Sequence, residues 1–207
     1  MKKIFLTFTI LTIFASCAFA TASADYESGK KAFESKDYAA AVEYYNSAIK
    51  QNAKYANAYY SRGEAQIELE LYDEAIESFA KVISLKPSFS DGYYGRGAAY
   101  AAKQDWETAK KDLDKAIHLN SKKMEYYEAR SMVNYELKEK EAAYSDIETA
   151  MQLAPDEPTP YRIRALFKLV DLKFSEAYAD FSLAKKIEKA KKKAEKKAAK
   201  EAKKTSK

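Results

Sequence analysis

The chain has 207 residues, with 36 Lys and Arg against 31 Asp and Glu, and the resulting +5 is unevenly spread. Residues 185–207 hold twelve Lys and three Glu, a net +9, whereas residues 25–184 are net −6, so the body is mildly acidic and the tail strongly basic. One Cys and one His exclude an intrachain disulfide and any metal site built mainly from those residues, five Gly and four Pro argue against a turn-rich β fold, and 47% hydrophobic residues argue against wholesale disorder.

The N-terminus reads as an export signal over residues 1–24. Lys2 and Lys3 precede an apolar run, Ile4 to Phe14, interrupted only by Thr7, Thr9 and Thr12, and small residues follow. Eleven residues are too few for a hydrocarbon core that needs about 20. Two small-x-small cleavage sites are present, Ala18-Phe19-Ala20 and Ala22-Ser23-Ala24. Phe14-Ala15-Ser16-Cys17 resembles a bacterial lipoprotein box, in which Cys17 would be lipidated, although Phe14 stands where an aliphatic residue is usual. Both readings place the protein outside the cytoplasm, in the periplasm or cell envelope.

From residue 25 to 184 the chain repeats every 34 residues without insertion. Tyr59, Tyr93, Tyr127 and Tyr161 share a column, and Arg62, Arg96, Arg130 and Arg164 follow three residues later. Gly29, Gly63, Gly97, Ser131 and Ala165 are small. Tyr38, Tyr72, Trp106 and Phe174 are aromatic, with Lys140 in the same column. Ala41, Ala75, Ala109, Ala143 and Ala177 are identical, and Tyr45, Phe79, Leu113, Ile147 and Phe181 are large and apolar. In the second unit Tyr59, Gly63 and Gln66 lie on one helical face, and Tyr72, Ala75, Ile76, Phe79 and Ile83 on another. Leu69-Glu70-Leu71 between them predicts a tight turn, and Pro87 predicts a helix end near Leu85. Gly63 and Ala75 would mark the close approach of the two helices, and Tyr59 and Phe79 their splayed part. Each hairpin would need its neighbours to bury its apolar face.

The pattern resembles the tetratricopeptide repeat, carried most fully by Tyr93, Gly97, Tyr100, Trp106, Ala109, Leu113 and Ala116. The resemblance covers five units, at about 22–55, 56–89, 90–123, 124–157 and 158–189. It implies an all-α fold, a right-handed superhelical solenoid of five helix hairpins with a C-terminal Lys-rich helical extension. It also implies that the first helix of each hairpin lines a concave groove where peptides or helices bind. The groove columns would be Tyr26, Tyr60, Tyr94, Glu128 and Arg162, then Lys30, Glu64, Ala98, Met132 and Leu166, then Phe33, Ile67, Ala101, Tyr135 and Leu169. Tyr orders cheaply and suits an interface, so Tyr26, Tyr60 and Tyr94 form a partner ladder on one reading and packing on the other. The paired Lys, Asn and Arg with which chaperone-binding members clamp a terminal carboxylate are missing from these columns.

Arg96, Arg130 and Arg164 each have an Asp sixteen residues on, namely Asp112, Asp146 and Asp180, which predicts Arg–Asp pairs between the helices of a hairpin. The second unit has Ser78 there instead.

The tail, residues 190–207, is made of strong helix formers and continues the last helix, with fraying expected beyond Ala190. A weak stripe of Ile187, Ala190, Ala194 and Ala198 could fold over the end of the last unit. Its charge would attract polyanions, such as anionic lipid, lipopolysaccharide or wall polymer. It lacks aromatics for base stacking, so no nucleic-acid partner is expected.

No Gly-rich phosphate loop, nucleophile elbow or metal cluster is present, and His118 reads as a surface residue. The sequence therefore predicts a non-catalytic envelope scaffold that holds a protein or peptide, without cofactor or metal. The second reading is a polyanion-binding factor that acts through its tail.

Overall fold

The computed structural model describes residues 21–205, so Cys17 and most of the export segment lie outside the described residues. Among the described residues there are ten helices and no strand. Helix α1 covers 21–34, followed by α2 (Tyr38–Gln51), α3 (Ala56–Glu68), α4 (Tyr72–Leu85) and α5 (Ser90–Ala102). Then come α6 (Trp106–Leu119), α7 (Met124–Glu136), α8 (Lys140–Leu153), α9 (Pro158–Val170) and α10 (Phe174–Thr205). The chain divides into two compact units, one up to Asp112 and one from Leu113 on.

Local chemistry sets the helix ends. Asp37 caps α2 by accepting the Ala40 N–H at 3.1 Å. Pro158 opens α9, where its missing N–H costs nothing. The turn within each hairpin is the same motif five times. Lys36, Glu70, Gln104, Lys138 and Leu172 sit at 34-residue steps with φ between 59° and 66°. The residue after each closes a six-residue loop, as when Leu71 N–H donates to Gln66 O at 2.8 Å and Lys173 N–H to Lys168 O at 2.8 Å. None of the five is the glycine that this left-handed position favours.

Packing follows the repeat columns. In the N-terminal unit, Ala41 and Tyr45 of α2 bury against Ala65 of α3, and Ala75 and Phe79 of α4 against Ala99 of α5. Each core therefore spans a second helix and the first helix of the next hairpin. The expected division between close approach and splay is corrected here. A Cβ on Gly63 would lie 2.8 Å from the Phe79 ring, and one on Gly95 would lie 2.4 Å from it. Bulk and gap thus face each other, and Phe79 is held between two glycines. In the C-terminal unit, Tyr126, Val133, Ile147, Ala150 and Ala165 are buried in the same manner.

One expectation for the tail is corrected: helix α10 runs to Thr205, and its residues 192–203 are exposed rather than folded over the last unit. Ala, Lys and Glu keep it helical, helped by Lys192–Glu188 at 2.8 Å. The other second helices end at Asn52, Pro87, Asn120 or Pro155, but residues 188–191 are Glu-Lys-Ala-Lys, which cannot turn the chain back.

Candidate partner-binding groove

The first helices α1 and α3 of the N-terminal unit enclose a pocket of about 200 Å³ lined by Tyr26, Lys30, Phe33, Glu34, Tyr45, Ser61 and Glu64. Tyr26 anchors it. Its ring packs on Tyr45 at 5.7 Å and Tyr55 at 5.1 Å, and its hydroxyl lies 3.4 Å from Ser61 Oγ. Burial pushes the Tyr45 phenol up to about 12, against the opposing effect of Ser61. It therefore stays neutral and fills the floor.

The rim carries both charges. Lys30 Nζ donates to Glu27 at 3.1 Å and stands 5.9 Å over the Tyr26 ring. Opposite, burial raises the Glu64 carboxyl above the usual range, a hydrogen bond from Tyr60 pulls it back, and the nearby Asp91 charge raises it further. A half-desolvated carboxylate of this kind is improved by any cation brought against it.

The sequence-predicted residues separate on inspection. Tyr26, Lys30 and Glu64 meet in the pocket. Tyr60 does not line it. Its ring stands edge-on to Phe79 and Phe89, both at 5.6 Å, and burial drives its phenol well above its ordinary value. Tyr94 is half-buried on α5. Tyr26 and Tyr60 thus each pack on two further rings, Tyr45 and Tyr55 for the first and Phe79 and Phe89 for the second. Ser61, missed in the sequence, sits in the column of Glu27 and Gly95, and its small side chain meets the Tyr26 hydroxyl.

In the C-terminal unit the corresponding columns differ. Glu128 is pushed up to about 7 by burial first and by Glu125 and Glu157 next, and its Oε1 has no hydrogen-bond partner. Arg162 is exposed and donates to Glu188 of α10 at 2.6 Å, so the last helix engages it. Met132, Leu166 and Leu169 are exposed and give this part an apolar character. Tyr135 stacks on Phe167 at 4.2 Å, and its hydroxyl donates to Asp171 at 3.1 Å.

The Arg–Asp pairs lie within the hairpins. Arg96 donates to both oxygens of Asp112 at 2.7 and 2.8 Å, Arg130 to Asp146 at 2.8 and 2.6 Å, and Arg164 to Asp180 at 3.0 and 2.7 Å. All three Asp are buried. In the second hairpin Arg62 donates to Ser78 Oγ at 3.1 Å, and Ser78 donates to Gln66 at 2.6 Å. In three hairpins the residue four after the Arg joins the hub, Gln66 on Ser78, Asn134 on Asp146 and Lys168 on Asp180. These hubs tie the two helices of a hairpin and are structural.

His118 is exposed on α6. Among the described residues no cluster of His, Cys, Asp or Glu could hold a metal ion, and no helix is long and apolar enough to cross a membrane.

Residues 26–88 match the family model of the tetratricopeptide repeat. Solved structures agree on the fold. MamA superposes with a TM-score of 0.67 at 24% identity, over 80% of this chain and 96% of its own. TTC0263, a thermophilic tetratricopeptide protein of Thermus thermophilus, gives 0.71 at 24% identity, over 79% and 89%. The first tetratricopeptide domain of Spaghetti (RPAP3), solved bound to the HSP90 peptide SRMEEVD, gives 0.57 at 24% identity, over 58% and 95%. A comparison with curated proteins found no match. The chain has the fold of the tetratricopeptide repeat proteins.

Proposed function

We propose that this protein is a non-catalytic scaffold of the cell envelope that holds a segment of a partner protein in the groove of its first hairpins. The pocket between Lys30 and Glu64 carries the reading. Its volume of about 200 Å³ is below the roughly 300 Å³ at which small-molecule sites begin, so it suits one or two side chains rather than a cofactor. Its aromatic wall takes an apolar or aromatic group, and Glu64 takes a Lys or Arg beside it. The peptide carried by the RPAP3 domain supports groove binding as a mode open to this fold. Export is supported by the signal pattern of residues 1–24. Ala22 is fully buried in α1, which favours cleavage after Ala20 over cleavage after Ala24.

Affinity capture from an envelope extract tests this reading. A partner retained by wild type and by a chain ending at Ala190, but lost on Lys30→Ala with Glu64→Gln, fits the groove. Retention by that double variant sinks the groove reading. A second reading, polyanion binding through the tail, draws support from Lys189, Lys192, Lys196 and Lys200 lining one side of α10. It requires binding that fails on truncation at Ala190 and falls steeply with salt.

A further inference from the structure

The end of the last hairpin is built like an internal surface but has no cover. The second helices α2, α4 and α8 each pack against the next first helix. Phe79 of α4 is 0% exposed beneath Gly95 of α5, and Gly92 sits on Val82 and Ile83. One hundred and two residues on, Phe181 is 39% exposed, and Phe174 and Tyr178 on the same face are 60% and 76% exposed. Helix α10 then continues unbroken, so among the described residues no further helix covers this face.

One column on this face changes character. Ile49, Ile83, Ile117 and Met151 are succeeded by Lys185. One turn on, the same side carries Lys189, then Lys192 and Lys196. Whatever covers the face needs a carboxylate for Lys185 and, over Phe181, either a glycine, as Gly95 lies over Phe79, or a side chain that the partly exposed Phe181 ring swings aside to admit.

Helix α1 of a second copy meets that description. By repeat register it is a first helix, the kind of element that covers this face in the other hairpins. The positions of Gly92 and Gly95 fall on Ala24 and Glu27 in α1. Both are exposed there, with Ser28 partly so and Lys31 exposed one turn further. Placed as α5 lies on α4, Ala24 would cover Ala184 and Lys185. Glu27 would lie above Phe181 within reach of Lys185, and Lys31 would reach the Tyr178 ring. The charges agree at longer range, an acidic body at net −6 against a tail at net +9.

We infer that the outer face of α10 on one copy receives the outer face of α1 on the next, so that the fifth hairpin of one chain is followed by the first hairpin of another. The contact is heterologous and leaves a free α1 and a free α10 at the two ends, so association grows with concentration instead of stopping at a dimer. It shares Glu27 with the pocket rim, where Lys30 donates to that carboxylate, but Tyr178, Phe181 and Lys185 lie outside the pocket, so a failure of the α10 variants leaves the groove reading standing.

The test is sedimentation of the full chain, expressed with its own N-terminus and with the purified start read by intact mass, up to on the order of 100 µM. Wild type is expected to show a weight-average mass rising steadily with concentration. Tyr178→Ser with Phe181→Ser changes only exposed side chains and should lower association at least about tenfold with helix content unchanged. Lys185→Glu should weaken it roughly three- to tenfold, and adding Glu27→Lys to that variant should restore it. Three results overturn the inference. They are a wild-type chain that stays monomeric throughout, association untouched by the Tyr178 and Phe181 changes, and a charge reversal that its partner reversal does not rescue. A monomeric chain that pellets with phosphatidylglycerol vesicles through this face also overturns it and assigns the face to a lipid surface.

Discussion

The second and fifth hairpins use the same columns to different ends. In the second, Phe79 is sealed between Gly63 and Gly95, and the polar hub is neutral at its centre, Arg62 and Gln66 meeting at Ser78. In the fifth, Phe181 stands partly in solvent, and the hub is charged, with Arg164 and Lys168 converging on Asp180. The residue type at the large apolar column is identical in the two hairpins, so the following helix, not the side chain, decides whether it is core. The hubs differ for a related reason. A carboxylate within reach of two cations offsets its own desolvation, whereas a hydroxyl must be matched by a neutral acceptor.

The largest test of this contrast is a matched truncation. Phe79→Ala should cost about 3–5 kcal/mol in urea unfolding, because it opens a cavity between two helices. Phe181→Ala, measured at dilution, should cost under about 1 kcal/mol. Equal costs would show that the end of α10 is covered in solution.

The hubs come next. Burial alone would raise the Asp180 carboxyl, but hydrogen bonds from Arg164 and Lys168 outweigh it and hold the group below the usual carboxylate range. The folded state therefore binds this proton less readily than the unfolded chain does. The stabilisation is fully present above the unfolded carboxylate value, near pH 4, and is lost as pH falls through the lower folded value. Asp180→Ala should cost about 2 kcal/mol at pH 7 and progressively less below pH 4. Ser78→Ala should cost about 1 kcal/mol with no such acid dependence. Equal costs at pH 3 and pH 7 for Asp180→Ala would remove the charged hub from the account.

The smallest effect lies in the turns. Leu172→Gly and Glu70→Gly should each stabilise by roughly 0.5–1 kcal/mol, since both residues occupy left-handed backbone that costs a side-chain-bearing residue about that much. The gain should be similar in the two hairpins, because the strain is local. A loss at Leu172 alone would mean that its exposed side chain has a contact to keep.

Much of the fold was legible because a 34-residue register forces equivalent positions into equivalent environments. Helix order, the turn at Leu69 to Leu71 and the end at Leu85 follow from periodicity and proline alone. The Arg–Asp partnerships follow from a constant spacing of sixteen across a hairpin of constant geometry. The groove was less legible. Tyr26 and Tyr60 occupy the same column and each wedges between equivalent rings, Tyr45 and Tyr55 or Phe79 and Phe89, yet only Tyr26 lines the pocket, and the Ser61 that meets its hydroxyl is replaced by Gly95 in the next unit.

The sequence by itself determined the class of fold, the hairpin boundaries and the charge of the tail, since these rest on local propensity and on a period that spacing reveals. Only the tertiary structure decided that Gly95 clamps Phe79, that Lys30 and Glu64 face one pocket, and that α10 runs straight past an uncovered aromatic face. Those outcomes depend on which neighbouring helix arrives over a given column, and among the described residues none arrives over the last hairpin.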